Sequence, residues 1–97
     1  MTRLPSAGVT TGDSALTADE VRSTTFEKSP WNKRGYEEKS VYDFLQLAAR
    51  RLDGKGHLSA ADVRSVGFTK SPLGKRGLDA DQVDAMLDRI ARTIDAL

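Results

Sequence analysis

Two short stretches of the chain, KSPWNKRG from Lys28 and KSPLGKRG from Lys70, combine cations with proline, glycine and one apolar residue. Six of their eight positions are identical, and the second begins 42 residues after the first. Each sets Trp31 or Leu73 among cations, which suits an anionic lipid surface: cations attract head groups, and the apolar side chain is buried between them. The candidate lipid-binding residues are Lys28, Trp31, Lys33, Arg34, Lys70, Leu73, Lys75 and Arg76.

Two other interpretations of these stretches stay open at this point. Proline and glycine can simply shape a tight connection, with Trp31 and Leu73 capping the core and the charges solvated. Paired basic loops can also straddle the phosphates of a nucleic acid. The net charge is only +1 and the long helices carry no basic stripe, so we expect no nucleic-acid partner.

The stretches belong to an internal duplication. A shift of 42 residues aligns 16–55 with 58–97 without a gap, and a repeat of this length usually forms one supersecondary unit per copy. The composition of the first 15 residues, rich in Thr, Ser, Gly and Pro, predicts a disordered tail. We therefore divide the chain into a tail at 1–15, repeat 1 at 16–53, a glycine-containing linker at 54–57 and repeat 2 at 58–97.

Each repeat begins with the pattern of a short capped helix, expected near 18–24 and 60–66. Thr17 with Glu20 forms a capping box, and Ser59 with Asp62 forms a weaker version because Asp replaces Glu or Gln. The extended stretch that follows carries a phenylalanine that we expect to be buried, and the basic loop comes next.

A longer amphipathic helix follows each basic loop. Its start is well capped in the second copy, where Asp79 precedes Gln82 by three residues, and poorly capped in the first. Apolar residues recur at helical spacing and form a broad stripe that must be covered. The predicted helix pairing face comprises Val41, Phe44, Leu45, Ala48, Leu52, Val83, Met86, Leu87, Ile90 and Ile94, with Ala49, Ala91 and Leu97 on the same stripe.

A unit of about 40 residues is at the limit of what folds alone. The expected fold is therefore all-α, with two tandem units, each a short helix, a loop and a long helix. The units pair as a pseudo-twofold helical bundle or a short parallel coiled coil, either within the chain or between two chains.

The pattern F-x-K-S-P-x-x-K-R-G, followed by V-x-x-(F/M)-L, resembles the DivIVA N-terminal domain, a family of bacterial cell-division and polarity scaffolds. The resemblance covers Leu16 to Leu52 and Leu58 to Ile94. It implies a parallel dimer whose loops cross at one tip, where an exposed apolar residue inserts into the membrane and neighbouring basic residues meet anionic head groups. By position, the inserted apolar residue corresponds to Trp31 and Leu73, and the family's arginine corresponds to Arg34 and Arg76.

The chain departs from the family in three respects. Leu78 replaces the aromatic residue that follows Arg-Gly, which Tyr36 retains, and the two tips differ in sequence. No long coiled coil follows the second repeat, which puts polymerisation at the cell pole in doubt. A single chain that carries both halves of the family's dimer fits these features better.

No candidate enzyme site is present. The chain has no cysteine and a single histidine, His57, and its carboxylates are scattered, so we expect no catalytic residues, metal site or cofactor. The residues around Gly56 do not form a calcium-binding loop, because Arg51 and Lys55 occupy positions that need oxygen ligands. No apolar run approaches the roughly 20 residues of a membrane span.

We thus expect a non-enzymatic, cytoplasmic module that binds peripherally to anionic lipids on the inner face of the cell membrane. The resemblance implies a place at a pole or septum. The alternative is a protein–protein interaction module, without membrane binding of its own, whose apolar helices pair with a longer DivIVA-type scaffold or another cell-division protein.

Overall fold

A computed structural model describes residues 16–97, so the predicted tail at 1–15 lies outside the described residues. Within this range the chain forms helices and isolated β-bridges but no strand, which confirms the all-α fold class. The helices are α1 (Ala18–Ser23), α2 (Glu38–Leu52), α3 (Ala60–Ser65) and α4 (Ala80–Asp95). Loop 1, residues 24–37, joins α1 to α2, and loop 2, residues 66–79, joins α3 to α4.

The short helices are fixed by their caps. Thr17 accepts a hydrogen bond from the Glu20 amide, and the Glu20 carboxylate accepts one from the Thr17 amide. Ser59 and Asp62 form the same reciprocal pair, with both distances at 3.0 Å. The capping box expected to be weaker therefore forms completely, because the shorter Asp side chain still reaches the amide. Both short helices end one residue earlier than predicted.

The long helices begin as the sequence predicts. The Asp79 side chain accepts a hydrogen bond from the Gln82 amide and caps α4. Helix α2 begins after Glu37 with no side-chain cap. Since an unfilled cap leaves amides without partners, the start of α2 depends more on tertiary contacts than the start of α4.

The core lies between the short and long helices of each unit and continues between the two long helices. Contacts within a unit, α1 with α2 and α3 with α4, are more extensive than the contact of α2 with α4. Leu97, placed on the stripe by its spacing, is instead exposed beyond the end of α4. Of the predicted pairing face, Val41, Leu45, Ala48, Val83, Leu87, Ile90 and Ile94 are buried, and Phe44, Leu52 and Met86 are partly buried.

Aromatic side chains fill the space between the loops and the long helices. Phe68 contacts both Tyr36 and Phe44, with ring centroids 5.4 and 5.7 Å apart. Phe26 contacts Tyr42 at 6.1 Å. Phe26 and Phe68, expected to be buried, are half-buried and pack against the core. Phe26 joins loop 1 to α2, the helix that follows it, whereas Phe68 joins loop 2 to loop 1 and to α2 of the other unit.

Candidate functional site

Loops 1 and 2 cross each other and are joined through their backbones. The Ser29 amide donates to the Gly77 carbonyl at 2.8 Å, and the Ser71 amide donates to the Gly35 carbonyl at 3.0 Å. The 42-residue shift of the duplication converts each of these two bonds into the other. The crossing, called the junction below, is therefore organised around a pseudo-twofold axis.

Two residues face each other across that axis. Tyr36 and Leu78 exchange both backbone hydrogen bonds, at 3.1 and 2.9 Å, as an antiparallel bridge pair does. Leu78 is only 1% exposed, and Tyr36 is half-buried. Both long helices begin within two residues of this pair, so the junction determines where they start.

Glycine is required on both loops at the junction. A β-carbon on Gly77 would lie 2.4 Å from the Tyr36 carbonyl oxygen, and one on Gly35 would lie 2.6 Å from the Leu78 carbonyl oxygen. Gly35 also has a φ of 72°, which side chains disfavour. The repeated Lys-Arg-Gly sequence thus places glycine where two backbones meet.

Both arginines of the repeated motif reach across the junction. Nε of Arg34 donates to the Ser71 carbonyl, and Nε of Arg76 donates to the Ser29 carbonyl, each at 2.8 Å. Arg34 and Arg76 were predicted only as lipid contacts. They also hold the loops together, a role that depends on the crossing and cannot be deduced from either loop alone.

The serines of the motif close each loop from inside. Ser29 and Ser71 are buried, and their hydroxyls donate to the carbonyls of Lys33 and Lys75 at 3.0 and 3.2 Å. Each bond spans four residues and fixes the turn that carries the apolar residue. Sequence reasoning missed this role, although identical serines at both sites were a usable signal.

The apolar residues of the motif project into solvent. Trp31 is 80% exposed and Leu73 is 83% exposed, so the interpretation that they cap the core is wrong. We call the turn of residues 30–33 tip 1 and the turn of residues 72–75 tip 2. The exposed tryptophan and leucine lie at neighbouring turns and form an apolar surface. Transfer of this surface out of water is favourable.

The cations around the tips fall into two groups. Lys33 and Lys75 are exposed and form no ion pair within residues 16–97. Lys28 is paired with Glu38, and Lys70 lies over the Tyr36 ring, 5.2 Å from its centroid. The first two are therefore free to meet a ligand, whereas the other two interact with the protein itself.

A further contact joins the two tips. The Arg76 guanidinium lies 4.6 Å from the centroid of the Trp31 ring, within the range of a cation–π interaction. This contact orders the exposed ring of tip 1 with a residue that follows tip 2, so neither tip is an independent structure.

Tyr36 is a further residue whose role the sequence did not reveal. Its hydroxyl donates to the Asp84 carboxylate of α4 at 3.0 Å. Burial, followed by this hydrogen bond, raises the pKa of Tyr36 above its usual value of 10.0. The bond connects loop 1 with the long helix of the other unit and has no counterpart from Leu78, which lacks a hydroxyl.

Searches for other kinds of site give two negative findings. Residues 16–97 contain no group of three or more His, Cys, Asp or Glu side chains placed to hold a metal ion. No helix in the described part of the chain is long and apolar enough to cross a membrane.

Comparison with protein-family models, with curated proteins and with solved structures finds no match for this chain. The resemblance to the DivIVA domain therefore rests on the repeated loop-and-helix pattern alone.

Proposed function

We propose that this protein is a non-enzymatic module that binds peripherally to anionic membranes through its two tips. The observation that carries the proposal is the joint exposure of Trp31 and Leu73 beside Lys33 and Lys75, two cations that form no ion pair within residues 16–97. A folded protein that exposes large apolar side chains among free cations has a surface suited to a charged interface.

The expected energies favour reversible attachment. Burying Leu73 contributes about 1.5–3 kcal/mol, and each lysine near an anionic surface contributes about 1 kcal/mol. Tryptophan is favoured at head-group depth, where its ring is buried and its N–H remains hydrated. Because hydrogen bonds between the loops hold both tips together, the second tip binds at high effective concentration once the first is in place. Added salt should weaken the electrostatic part.

The resemblance to the DivIVA domain supports the same function and a place at the inner face of a bacterial membrane during division or polar growth. Under this proposal Arg34 and Arg76 act mainly by holding the junction, since each uses Nε to bind the opposite loop. Lys28 and Lys70, engaged by Glu38 and Tyr36, contribute less to lipid contact than Lys33 and Lys75.

The alternative, pairing with a longer scaffold through the apolar helices, has less support. The predicted pairing face is largely covered by contacts within the chain. Beyond the tips, the large apolar side chains exposed within residues 16–97 are Leu47 and Leu97. A partner protein would therefore have to use this smaller surface or displace one unit from the other.

The test compares two double variants in vesicle co-sedimentation. Trp31→Ser/Leu73→Ser removes the apolar side chains of both tips, and Leu47→Ser/Leu97→Ser removes two exposed apolar side chains elsewhere. Native protein should sediment with anionic vesicles at low salt and not with neutral ones. The tip variant lacks two apolar side chains that the native protein buries in the membrane, so it should bind about a hundredfold or more weakly. The control variant should bind like the native chain.

Circular dichroism must show both variants folded. Trp31 is the only tryptophan of the chain, so a shift of its emission to shorter wavelength on vesicle addition reports directly on tip 1. The proposal fails if native protein never sediments with anionic vesicles, or if the folded tip variant sediments as well as the native protein.

A further inference from the structure

A small cavity lies between the two tips. Its volume is about 170 Å³, and it is lined by residues of both loops. Trp31 and Leu73 form its apolar walls, and Lys33, Arg34, Lys75 and Arg76 form its charged ones. Each charged residue is matched by its partner under the 42-residue shift, so the cavity lies on the pseudo-twofold axis.

The charge around this cavity is of one sign. Four cations line it and no carboxylate does. Two further cavities beside the junction differ. One combines Lys33 and Arg34 with Asp79 and Asp81, and the other combines Lys75 and Arg76 with Glu37 and Glu38. The carboxylates thus line the neighbouring cavities, whereas in the central cavity the four cations face one another, and an anion bound there lowers their mutual repulsion.

The two guanidinium groups are held in position. Each arginine has five N–H donors, and only the Nε–H of Arg34 and of Arg76 forms a hydrogen bond within residues 16–97. Neither arginine forms an ion pair there. Bonds from Nε and the stacking of Arg76 on Trp31 fix the groups while leaving their terminal N–H donors for a ligand.

We propose that this cavity binds one phosphate monoester group, shared by both tips, with a lipid head group as its source. The inference builds on the membrane contact proposed above and gives it a defined site. Nearby cations favour the doubly charged form of a monoester, which a diester cannot adopt. The site therefore discriminates between anionic lipids, beyond a general attraction to negative surfaces. The apolar walls at the same opening meet the glycerol and acyl region of the lipid that supplies the phosphate.

The test uses water-soluble probes, so that it is independent of a bilayer. Dihexanoyl phosphatidic acid, dihexanoyl phosphatidylglycerol and inorganic phosphate are titrated into ¹⁵N-labelled native protein below the micelle concentration. For phosphatidic acid, the amides of both tips should shift with one common dissociation constant. The phosphatidylglycerol diester should bind about tenfold more weakly, since it carries less charge for the same donors.

Single lysine variants test whether the site is shared. Lys33→Gln should weaken the response of both tips by about tenfold, and Lys75→Gln should do the same, because each removes a charged contact to one common ligand. Lys55→Gln is the control, since it removes the same charge near the end of α2, about 20 Å along that helix from the junction. Lysines are chosen because replacing Arg34 or Arg76 would also disturb the junction.

The outcomes separate this inference from the membrane proposal. Two independent tip sites would leave tip 2 unaffected in Lys33→Gln, and that result overturns the shared site. Equal binding of monoester and diester, or no probe binding by a protein that still binds anionic vesicles, also overturns it while the membrane proposal stands. Inorganic phosphate that binds as tightly as phosphatidic acid supports the site but assigns it to soluble phosphate instead of lipid. Vesicle binding that fails while the probes bind removes the membrane proposal and the lipid source of the phosphate, and leaves only the shared phosphate site.

Discussion

The two units have the same backbone plan and different side chains at the positions that matter most. Their junction bonds exchange under the 42-residue shift, and so do the serine bonds that close each tip. The two units differ at the tips, where Trp31 corresponds to Leu73, and at the pseudo-twofold axis, where Tyr36 faces Leu78. The hydrogen bonds that build the junction and close the tips have thus been retained in both copies, while the apolar and aromatic contacts differ between them.

This difference indicates how a duplicated unit can become asymmetric without losing its pairing. Backbone hydrogen bonds need only glycine and serine in the right places, so both copies keep them. Among the ring pairs within residues 16–97, Phe68 contacts Tyr36 and Phe44, whereas the corresponding Phe26 contacts Tyr42. The first unit therefore supplies most of the aromatic packing, and the second supplies the fully buried aliphatic residue at the axis.

The most damaging change should be alanine at the junction glycines. Gly35→Ala and Gly77→Ala each place a methyl group within 2.6 Å of a backbone oxygen of the other loop, and backbone cannot move aside without breaking junction bonds. Each should lower the free energy of unfolding by more than about 4 kcal/mol, measured by urea denaturation. Gly67→Ala is the control, because a β-carbon there meets nothing within 4 Å. Equal stability of the three variants would show that the loops do not cross as described.

A smaller loss is expected when the axis residue of the second unit is truncated. Leu78 is 1% exposed, so Leu78→Ala leaves a cavity and should lower the free energy of unfolding by about 3 kcal/mol. Both long helices begin within two residues of the Tyr36–Leu78 pair. We therefore expect the loss of stability to affect both units together. A single cooperative transition by circular dichroism would agree with this, whereas separate transitions would show that each unit folds alone.

The smallest effect concerns the first unit's axis residue. Tyr36→Phe removes the hydrogen bond to Asp84 and should lower the free energy of unfolding by about 1 kcal/mol at neutral pH. Because the pKa of Tyr36 is raised in the folded state, the neutral phenol stabilises the fold below pH 10. That stabilisation is lost as the pH rises through the raised value. The stability difference between native and Tyr36→Phe should therefore shrink in alkali, and a constant difference would contradict the hydrogen bond.

Much of the fold could be predicted because its helices are determined by patterns of residues that are close in sequence. Thr17, Ser59 and Asp79 cap helices through bonds that span three residues, and the apolar stripes of α2 and α4 are periodic. The small size of each repeat and its broad apolar stripe also predicted pairing around a pseudo-twofold axis. These features depend on neighbours in sequence, which a single chain displays directly.

The details of the candidate site could not be predicted because they depend on residues far apart in sequence. Arg34 reaches a carbonyl 37 residues away, and Tyr36 reaches a carboxylate 48 residues away. Whether an arginine contacts a ligand or a carbonyl is decided by how the loops cross. The exposure of Trp31 has the same origin, since an apolar residue between Pro30 and Asn32 is equally compatible with a buried cap.

Placing both halves of the junction in one chain has a consequence for its behaviour on dilution. Two separate chains held together by the same bonds would dissociate once their concentration fell below the dissociation constant. Here the short connection after α2, with Gly54 at a φ of 84°, makes pairing unimolecular, and closing so short a loop costs little entropy. A single copy of the chain would therefore present both tips without association with a second molecule.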